Sequence, residues 1–546
     1  MIAQSPSRWL VSTVVLGIVA VAIPFALFAV DHYLAPLEFS GPLEHYLSFN
    51  DEAVSNSIGV LSSIIAAVLG IIITVASIIV QLAATRYTPA ITEMFFTDRT
   101  NLLVLGLYVV GCVMGFWTAF GVNAGWVPRV SLIAMLTMAT VGFVIMAPYF
   151  AYVFRLLAPQ SVVQRIKNEA ITASIGSEQY TSRSIRERQA RTLETTEQLT
   201  DIAINSISQK DKIIATACVD ALRDIASAYL ERSAKLGEDW LEITDTIRTN
   251  PDFASMAEDS VAEIGRTRTW FEFKVLRQYQ AIYTEALGDM RDINYVVAIN
   301  TRQIAEKALA TDRQEALMLS VKFFNTYLRA TLNNNDVRTA YTILNQYRIM
   351  AEAMLRSDRG DLCLKVAHHI KYYGHLSYQK RLAFVTETVA YDLGALCEVA
   401  HEIASDVEDD LLKIFLEVDP STSEGEIQET SLRGVRKAQV KLAAYYLSVD
   451  AEELARRVWS DMTEESVERL ASIRDELMAI ESKDFWEISD RGGNFDYLEP
   501  ERKAMLTTFF RWFRDVSGEL RAVSLTTGEI PITSGGDKVP EVDDKA

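Results

Sequence analysis

The stretch AVSNSIGVLSSIIAAVLGIIITVASIIVQLAAT, residues Ala53–Thr85, contains no Asp, Glu, Lys or Arg. About 20 such residues cross the roughly 30 Å hydrocarbon core of a bilayer as a helix, so this stretch predicts a membrane span. Three further charge-free runs meet the same criterion, at Trp9–Val30, Thr100–Pro128 and Val130–Phe154. The first is also compatible with a signal peptide, but its length and Pro24 favour a retained span. We predict four spanning helices, at about residues 9–30, 56–84, 101–121 and 130–154.

Charge is distributed unevenly along the chain. Residues 1–159 carry five Lys or Arg and seven Asp or Glu, a net charge of −2, so −17 of the total −19 belongs to residues 160–546. Such an acidic region repels phosphate backbones, which predicts that nucleic acid is not a partner. The loop from Asp31 to Glu52 has no Lys or Arg, whereas Arg residues flank the second loop and follow the last span. The positive-inside rule therefore predicts that both termini are cytoplasmic.

The long region after the spans predicts an all-α fold. Apolar residues recur every three to four positions, as at Leu199, Ala203 and Ile207, and no run alternates in the manner of a strand. The clearest further helical runs are Pro251–Leu287, Asp312–Leu332, Asp336–Leu355, Gln379–Ile403 and Arg433–Leu447. We see no repeat of fixed period, so a bundle or an irregular stack of helical pairs is expected. The predicted domains are a transmembrane domain over 1–159, a cytoplasmic helical domain over 160–419, a C-terminal helical subdomain over 430–521 and a disordered tail over 522–546.

The second span carries a stripe of small and weakly polar residues on one helix face. Its members recur at steps of three or four, and include Ser63, Gly70, Thr74, Ser77 and Gln81. Two interpretations are open: the stripe packs against another helix, or it lines a hydrated pathway in an oligomer. In the third span, Gly111 and Gly115 form a G-x-x-x-G motif, which is typical of close helix packing and is weak evidence for self-association.

Basic residues follow the last span closely. Arg183, Arg186, Arg188 and Arg191 are candidates for contacts with lipid headgroups, each contributing about 1 kcal/mol of attraction to an anionic leaflet. The simpler interpretation is a solvated helix face, since Glu187 and Glu194 lie among them. Membrane lipid is an expected partner under either interpretation.

The sequence offers no catalytic, cofactor or metal signature, so we expect a protein that is not an enzyme. No ionisable residue lies within a predicted span, which disfavours active transport but not a passive pore. Glu398-x-x-His401 has the spacing used in di-iron bundles, but the second such pair is missing. The four cysteines include no C-x-x-C pair.

The stretch IVQLAATRYTPAITEMFFTDRTNLLVLG, Ile79–Gly106, resembles a bacterial family of predicted membrane proteins with a domain of unknown function, the family numbered 2254. The positions that carry the resemblance are Gln81, Ala83, Ala84, Tyr87, Thr88, Pro89, Phe95, Asp98 and Arg99. Arg191–Ser208 and Ala215–Leu222 are similar to a second signature, although Ser208–Lys212 departs from the turn that the family usually has between them. The resemblance covers roughly residues 1–310 and implies four spans and an inner-membrane location. It implies no activity and no functional residues.

Two functions remain open at this stage. The first is a membrane-anchored helical scaffold or regulatory protein that forms homo-oligomers and holds its cytoplasmic region ready for a protein partner. The alternative is an oligomeric ion or small-solute channel lined by the second span.

Overall fold

Four apolar helices form the N-terminal part of the chain, and the third of them packs against the other three. The computed structural model describes residues 7–33, 51–86, 92, 95–96, 98–122, 129–176, 182–418, 426–484 and 491–513. The four helices are α1 Ser7–Tyr33, α2 Asp51–Arg86, α3 Arg99–Gly121 and α4 Arg129–Leu156. Each contains a segment long and apolar enough to cross a membrane, as predicted. Helix α3 contacts each of the other three.

Two aspartates join the ends of these helices. Asp31, at the end of α1, accepts hydrogen bonds from the amide of Val130 at 2.8 Å and from the amide and hydroxyl of Ser131 at 3.0 and 2.8 Å. It thereby caps α4, whose first amides have no partner inside the helix. At the opposite end, Asp98 caps α3 and also accepts a hydrogen bond from the hydroxyl of Tyr152 at 2.8 Å. Each cap fixes a helix end to a neighbouring helix.

Helices without spanning character continue the first part of the chain. α5 Pro159–Ile175, α6 Ser182–Ser208 and α7 Lys212–Arg232 pack against one another. Three single-turn helices follow, α8 Glu238–Leu241, α9 Asp245–Arg248 and α10 Pro251–Ala254. α11 Glu258–Thr267 leads into α12 Trp270–Ala286, which packs on α6 and α7.

Five consecutive helices then repeat at a fixed interval. Each is 20 residues long and begins 23 residues after the one before: α13 Arg291–Ala310, α14 Gln314–Asn333, α15 Val337–Arg356, α16 Gly360–Gln379 and α17 Ala383–Glu402. The turn after each helix contains one residue in the left-handed backbone conformation, with φ from 51° to 61°. These residues are Asp312, Asn335, Asp358, Arg381 and Ala404. In each turn the next amide bonds to the carbonyl five residues earlier, the closure of a Schellman motif. The expectation of no fixed period is therefore wrong here.

The remaining helices complete the second of two compact units, which are Met1–Tyr327 and Leu328–Ala546. They are α18 Glu408–Leu416, α19 Glu426–Ser448, α20 Glu452–Asp461, α21 Val467–Ala479 and α22 Pro500–Phe510. Within this unit α17 packs along α19. The described part of the chain contains helices and no β-strand, so the all-α prediction is confirmed. The predicted domain boundaries stay predictions, and the tail at 522–546 lies outside the described residues.

A buried ammonium group stabilises the first unit. The side chain of Lys274, on α12, is 0% exposed, and its Nζ lies 2.6 Å from a carboxylate oxygen of Glu197 and 2.5 Å from one of Asp252. Asn250 accepts a third hydrogen bond from the same Nζ at 3.2 Å. A buried charge is tolerated only when it is paired in this way. The network joins α12 to α6 and to the start of α10.

Candidate functional site

The small-residue stripe of α2 faces away from the other described helices. Ser63, Gly70, Thr74, Ser77 and Gln81 are all exposed. The buried face of α2 is instead formed by large and small apolar residues, Ile58, Ile65, Ile72, Ala76 and Val80. The stripe is therefore not the surface by which α2 packs against the helices that the structure describes.

Two features suit this stripe to contact with another helix. The hydroxyls of Ser63 and Thr74 donate to the carbonyls of Gly59 and Gly70, each at 2.8 Å, so neither donor is left unsatisfied in an apolar medium. A Cβ added at Gly59 or Gly70 would meet nothing within 4 Å. The backbone of α2 is thus accessible at the positions where small residues let helices approach closely.

The G-x-x-x-G motif of α3 is used inside the chain. A Cβ added at Gly115 would lie 2.4 Å from Oγ of Ser62 and 2.9 Å from Cε of Met135, and one at Gly111 would lie 3.4 Å from Ile65. These glycines let α3 pack against α2 and α4. The motif therefore has the close-packing role that is typical of it, and its surface gives no support to self-association because the chain's own helices occupy it.

The basic cluster after the spans is partly engaged in the fold. Arg188 donates to the carbonyl of Ala173 at 2.9 Å and lies 4.8 Å above the ring of Trp240. Arg191 pairs with Glu169 at 2.6 Å and with Glu194 at 2.8 Å. Arg186 is exposed, and the side chain of Arg183 lies outside the described residues. Contact of these residues with lipid headgroups stays a prediction.

The second unit contains a charged cleft of about 270 Å³ that the sequence did not predict. Helices α15, α17, α19 and α22 and the segment 491–495 form its walls. Its charged lining consists of four cationic side chains and two carboxylates, Arg348, Lys441, Arg491, Arg502, Asp392 and Glu398. These groups come from positions up to 154 residues apart in the chain.

Both carboxylates of the charged cleft have arginine partners. Asp392 is buried, its two oxygens pair with the terminal nitrogens of Arg491, and Arg348 Nε lies 3.4 Å away. Glu398 pairs with Arg502 at 2.9 Å. Burial raises the pKa of Glu398, while the Arg502 guanidinium acts in the opposite direction. The acidic groups of the cleft are thus compensated within it.

Lys441 has a different environment. Its Nζ donates to the backbone carbonyls of Phe495 and Tyr497, the latter at 2.8 Å, and it lies 5.3 Å from the ring centroid of Tyr391. That ring stacks on Phe495, with centroids 4.6 Å apart and planes at 14°. No carboxylate of the described residues forms an ion pair with Lys441 within 4.0 Å. Burial lowers the pKa of Lys441 to about 8.

Comparison with known proteins bears on the membrane part. Residues 6–198 match the family described as "Predicted membrane protein (DUF2254)". The match confirms the resemblance inferred from Gln81 to Arg99, and this part of the chain is similar to that family of predicted membrane proteins. No curated protein and no solved structure matches the chain.

The DUF2254 match covers 193 of the 546 residues. It includes the four spans, α5 and most of α6, and it therefore includes the outward-facing stripe. The stretch Ala215–Leu222, which also resembles the family in sequence, lies outside it, as does the whole charged cleft. In the family-like motif, Asp98 has a visible structural role as the cap of α3.

The two residues of the Glu398-x-x-His401 motif on α17 have different partners. Glu398 pairs with Arg502, whereas His401 lies 2.8 Å from a carboxylate oxygen of Glu408. Among the described residues, no three His, Cys, Asp or Glu side chains are placed to hold a metal ion. The residues of the charged cleft carry no sequence signal of their own, because each resembles an ordinary helix-surface charge until the fold brings it together with the others.

Proposed function

We propose that this protein is a non-enzymatic membrane anchor that self-associates through the outward-facing stripe of α2. In this proposal it holds its helical region at the cytoplasmic face of a bacterial inner membrane for scaffolding or regulatory contacts. The observation that carries the proposal is the exposure of Ser63, Gly70, Thr74 and Ser77 on a helix that is long and apolar enough to span.

The physical argument concerns what a stripe of small residues gains in a bilayer. Hydrocarbon tails already solvate apolar helices, so association depends on close packing, interhelical hydrogen bonds and lipid entropy. Small residues allow that close packing, and here they are directed away from the chain's own bundle. A second copy of α2 is the partner that carries the same surface, as a two-fold interface requires.

The proportions of the chain support an anchoring role. About 390 residues follow the last span, which is more than a simple pore requires. The distribution of Arg and Lys supports a cytoplasmic location for this region under the positive-inside rule. Its acidic character favours a protein partner over nucleic acid.

Replacement of Gly70 by Leu tests the proposed interface. The added side chain meets no atom of the same chain within 4 Å of its Cβ, so the monomer fold should be unaffected. We expect the dissociation constant of the oligomer in lipid to rise at least about tenfold, because the backbones can no longer approach. Single-molecule photobleaching in liposomes at varied protein density measures this.

The matched control for that experiment is Gly17→Leu on α1. Gly17 is also exposed and its added Cβ also meets nothing within 4 Å, but it lies outside the stripe. We expect unchanged association. Equal effects of the two substitutions, or no effect of either, would count against α2 as the interface.

A channel lined by α2 is the second candidate. The stripe runs from Ser63 to Gln81, about 27 Å along the helix axis, which is close to the hydrocarbon thickness. Solute or ion flux through liposomes that contain verified oligomers should then fall when Thr74 or Ser77 becomes Leu. Absence of flux from the unaltered oligomer would exclude this function.

A further inference from the structure

We propose that the charged cleft of the second unit binds a small oxyanion, the phosphate or carboxylate group of a compact metabolite, between Lys441 and Arg502. This would give the protein a ligand-binding function independent of its association in the membrane.

The cleft has room for such a group because small residues form part of its wall. Gly394 and Ala395 on α17 and Ala438 on α19 are the small residues that line it. The cavity of about 270 Å³ equals the liquid volume of roughly nine water molecules. This is sufficient for a phosphate or a short dicarboxylate.

The charge of the lining favours an anion. Of its six charged groups four are cationic, and the two carboxylates are each paired with arginine. Arg348 has an additional partner in Glu352, so the uncompensated charge within the lining rests on Lys441. An ammonium without a carboxylate partner in a half-buried cleft is stabilised by an anionic ligand.

Donors remain for a ligand on both proposed residues. An ammonium has three N–H groups, and Lys441 uses two of them on backbone carbonyls. Arg502 holds both oxygens of Glu398 with Nη1 alone. Within the described residues its Nε and Nη2 make no hydrogen bond. Lys441 and Arg502 line the same cleft, where the proposed oxyanion would accept from both.

The protonation of Lys441 makes anion binding depend on pH, which a purely structural role of this residue would not do. Burial lowers its pKa to about 8, so the free cleft loses this charge as the pH rises above that value, and anion affinity falls with it. The groups that face Lys441 are Lys437 on α19, Tyr391, Asp392 and Glu398 on α17, Arg348 on α15, Arg502 on α22, and Arg491 and Asp496 on the intervening segment.

The experiment titrates sulfate into the full-length protein in detergent at constant ionic strength, with binding measured by calorimetry. Sulfate is chosen because its charge does not change between pH 7 and pH 9. We expect the affinity to fall about tenfold between those pH values as Lys441 loses its proton. In Lys441→Gln the affinity at pH 7 should fall at least about tenfold and its pH dependence should vanish.

Arg502→Gln provides a second variant that leaves the contacts of Lys441 with the backbone in place. Its expected loss of affinity is also at least about tenfold. The matched control is Arg356→Gln, which removes another Arg–Glu pair of the same unit, at 3.2 Å from Glu402 and outside the cleft. This control should bind sulfate within about twofold of the unaltered protein. No binding to the unaltered protein at about 10 mM sulfate, or equal binding by all folded variants, overturns the proposal.

Discussion

Replacement of Lys274 by Met is expected to lower the free energy of unfolding of the first unit by about 3 kcal/mol. The ammonium is fully buried and lies within 2.6 Å of Glu197 and 2.5 Å of Asp252. Among the described residues, its removal leaves Glu197 without a cationic partner and leaves Asp252 with only the longer ion pair to Arg277, at 3.7 Å. The loss is expected near the lower end for buried pairs, because the Glu197 side chain is 40% exposed and keeps part of its hydration. Denaturant titration of the purified protein, followed by Trp fluorescence, measures it.

A matched substitution separates burial from mere loss of an ion pair. Lys307 pairs with Glu231 in the same unit, but the two side chains are 31% and 57% exposed. We expect Lys307→Met to cost less than about 0.5 kcal/mol, as is usual for surface pairs. If Lys274→Met costs no more than Lys307→Met, the buried network does not stabilise the unit as described.

Replacement of Gly115 by Leu is expected to destabilise the four-helix membrane region by about 3 kcal/mol, because overpacking forces α2 and α3 apart. Even the first atom of the new side chain would lie 2.4 Å from Ser62 Oγ and 2.9 Å from Met135 Cε. Unfolding in mixed micelles with increasing sodium dodecyl sulfate, followed by far-ultraviolet circular dichroism, measures the change.

The same substitution at Gly70 is the control for that measurement. Gly70 also lies in a spanning helix, but its added Cβ meets no atom within 4 Å. We expect Gly70→Leu to leave the unfolding midpoint of the monomer unchanged while it weakens association. A Gly115→Leu protein as stable as the Gly70→Leu protein would contradict the packing of α3 on α2.

The parts of the fold that the sequence predicted well are those with strong local signals. Charge-free runs located the four spans, and apolar periodicity located Asp312–Leu332 and Asp336–Leu355 within two residues of α14 and α15. Pro251–Leu287 was a less accurate prediction, because the structure divides it among α10, α11 and α12. Arg268 adopts the left-handed backbone conformation and ends α11, yet the apolar sequence pattern continues across this residue.

The regular interval of 23 residues was missed for a physical reason. The repeat resides in helix length and in the left-handed turn residue rather than in residue identity. Asp312, Asn335 and Asp358 suit that backbone conformation, but Arg381 and Ala404 adopt it as well. A search for recurring residue types does not detect such a pattern, whereas a search for recurring turn spacing would.

The charged cleft was beyond prediction because its parts are distant in sequence. Arg348 and Arg502 belong to helices separated by several others, and nothing in either segment indicates the partner. In the sequence Glu398 is distinguished only by its spacing from His401, and the fold gives these two residues different partners. The direction of the α2 stripe likewise required the fold, since spacing predicts a shared face but not which side of the bundle that face occupies.

Disulfide cross-linking in native membranes tests the central claim, self-association through the stripe of α2, most directly. The half-buried Cys112 is first replaced by Ala; the remaining three cysteines are buried. Single cysteines are then introduced as Thr74→Cys in the stripe and Gly17→Cys on the exposed side of α1. The proposal predicts a covalent dimer on mild oxidation for Thr74→Cys and none for Gly17→Cys. Equal cross-linking at both positions, or none at Thr74, would contradict it.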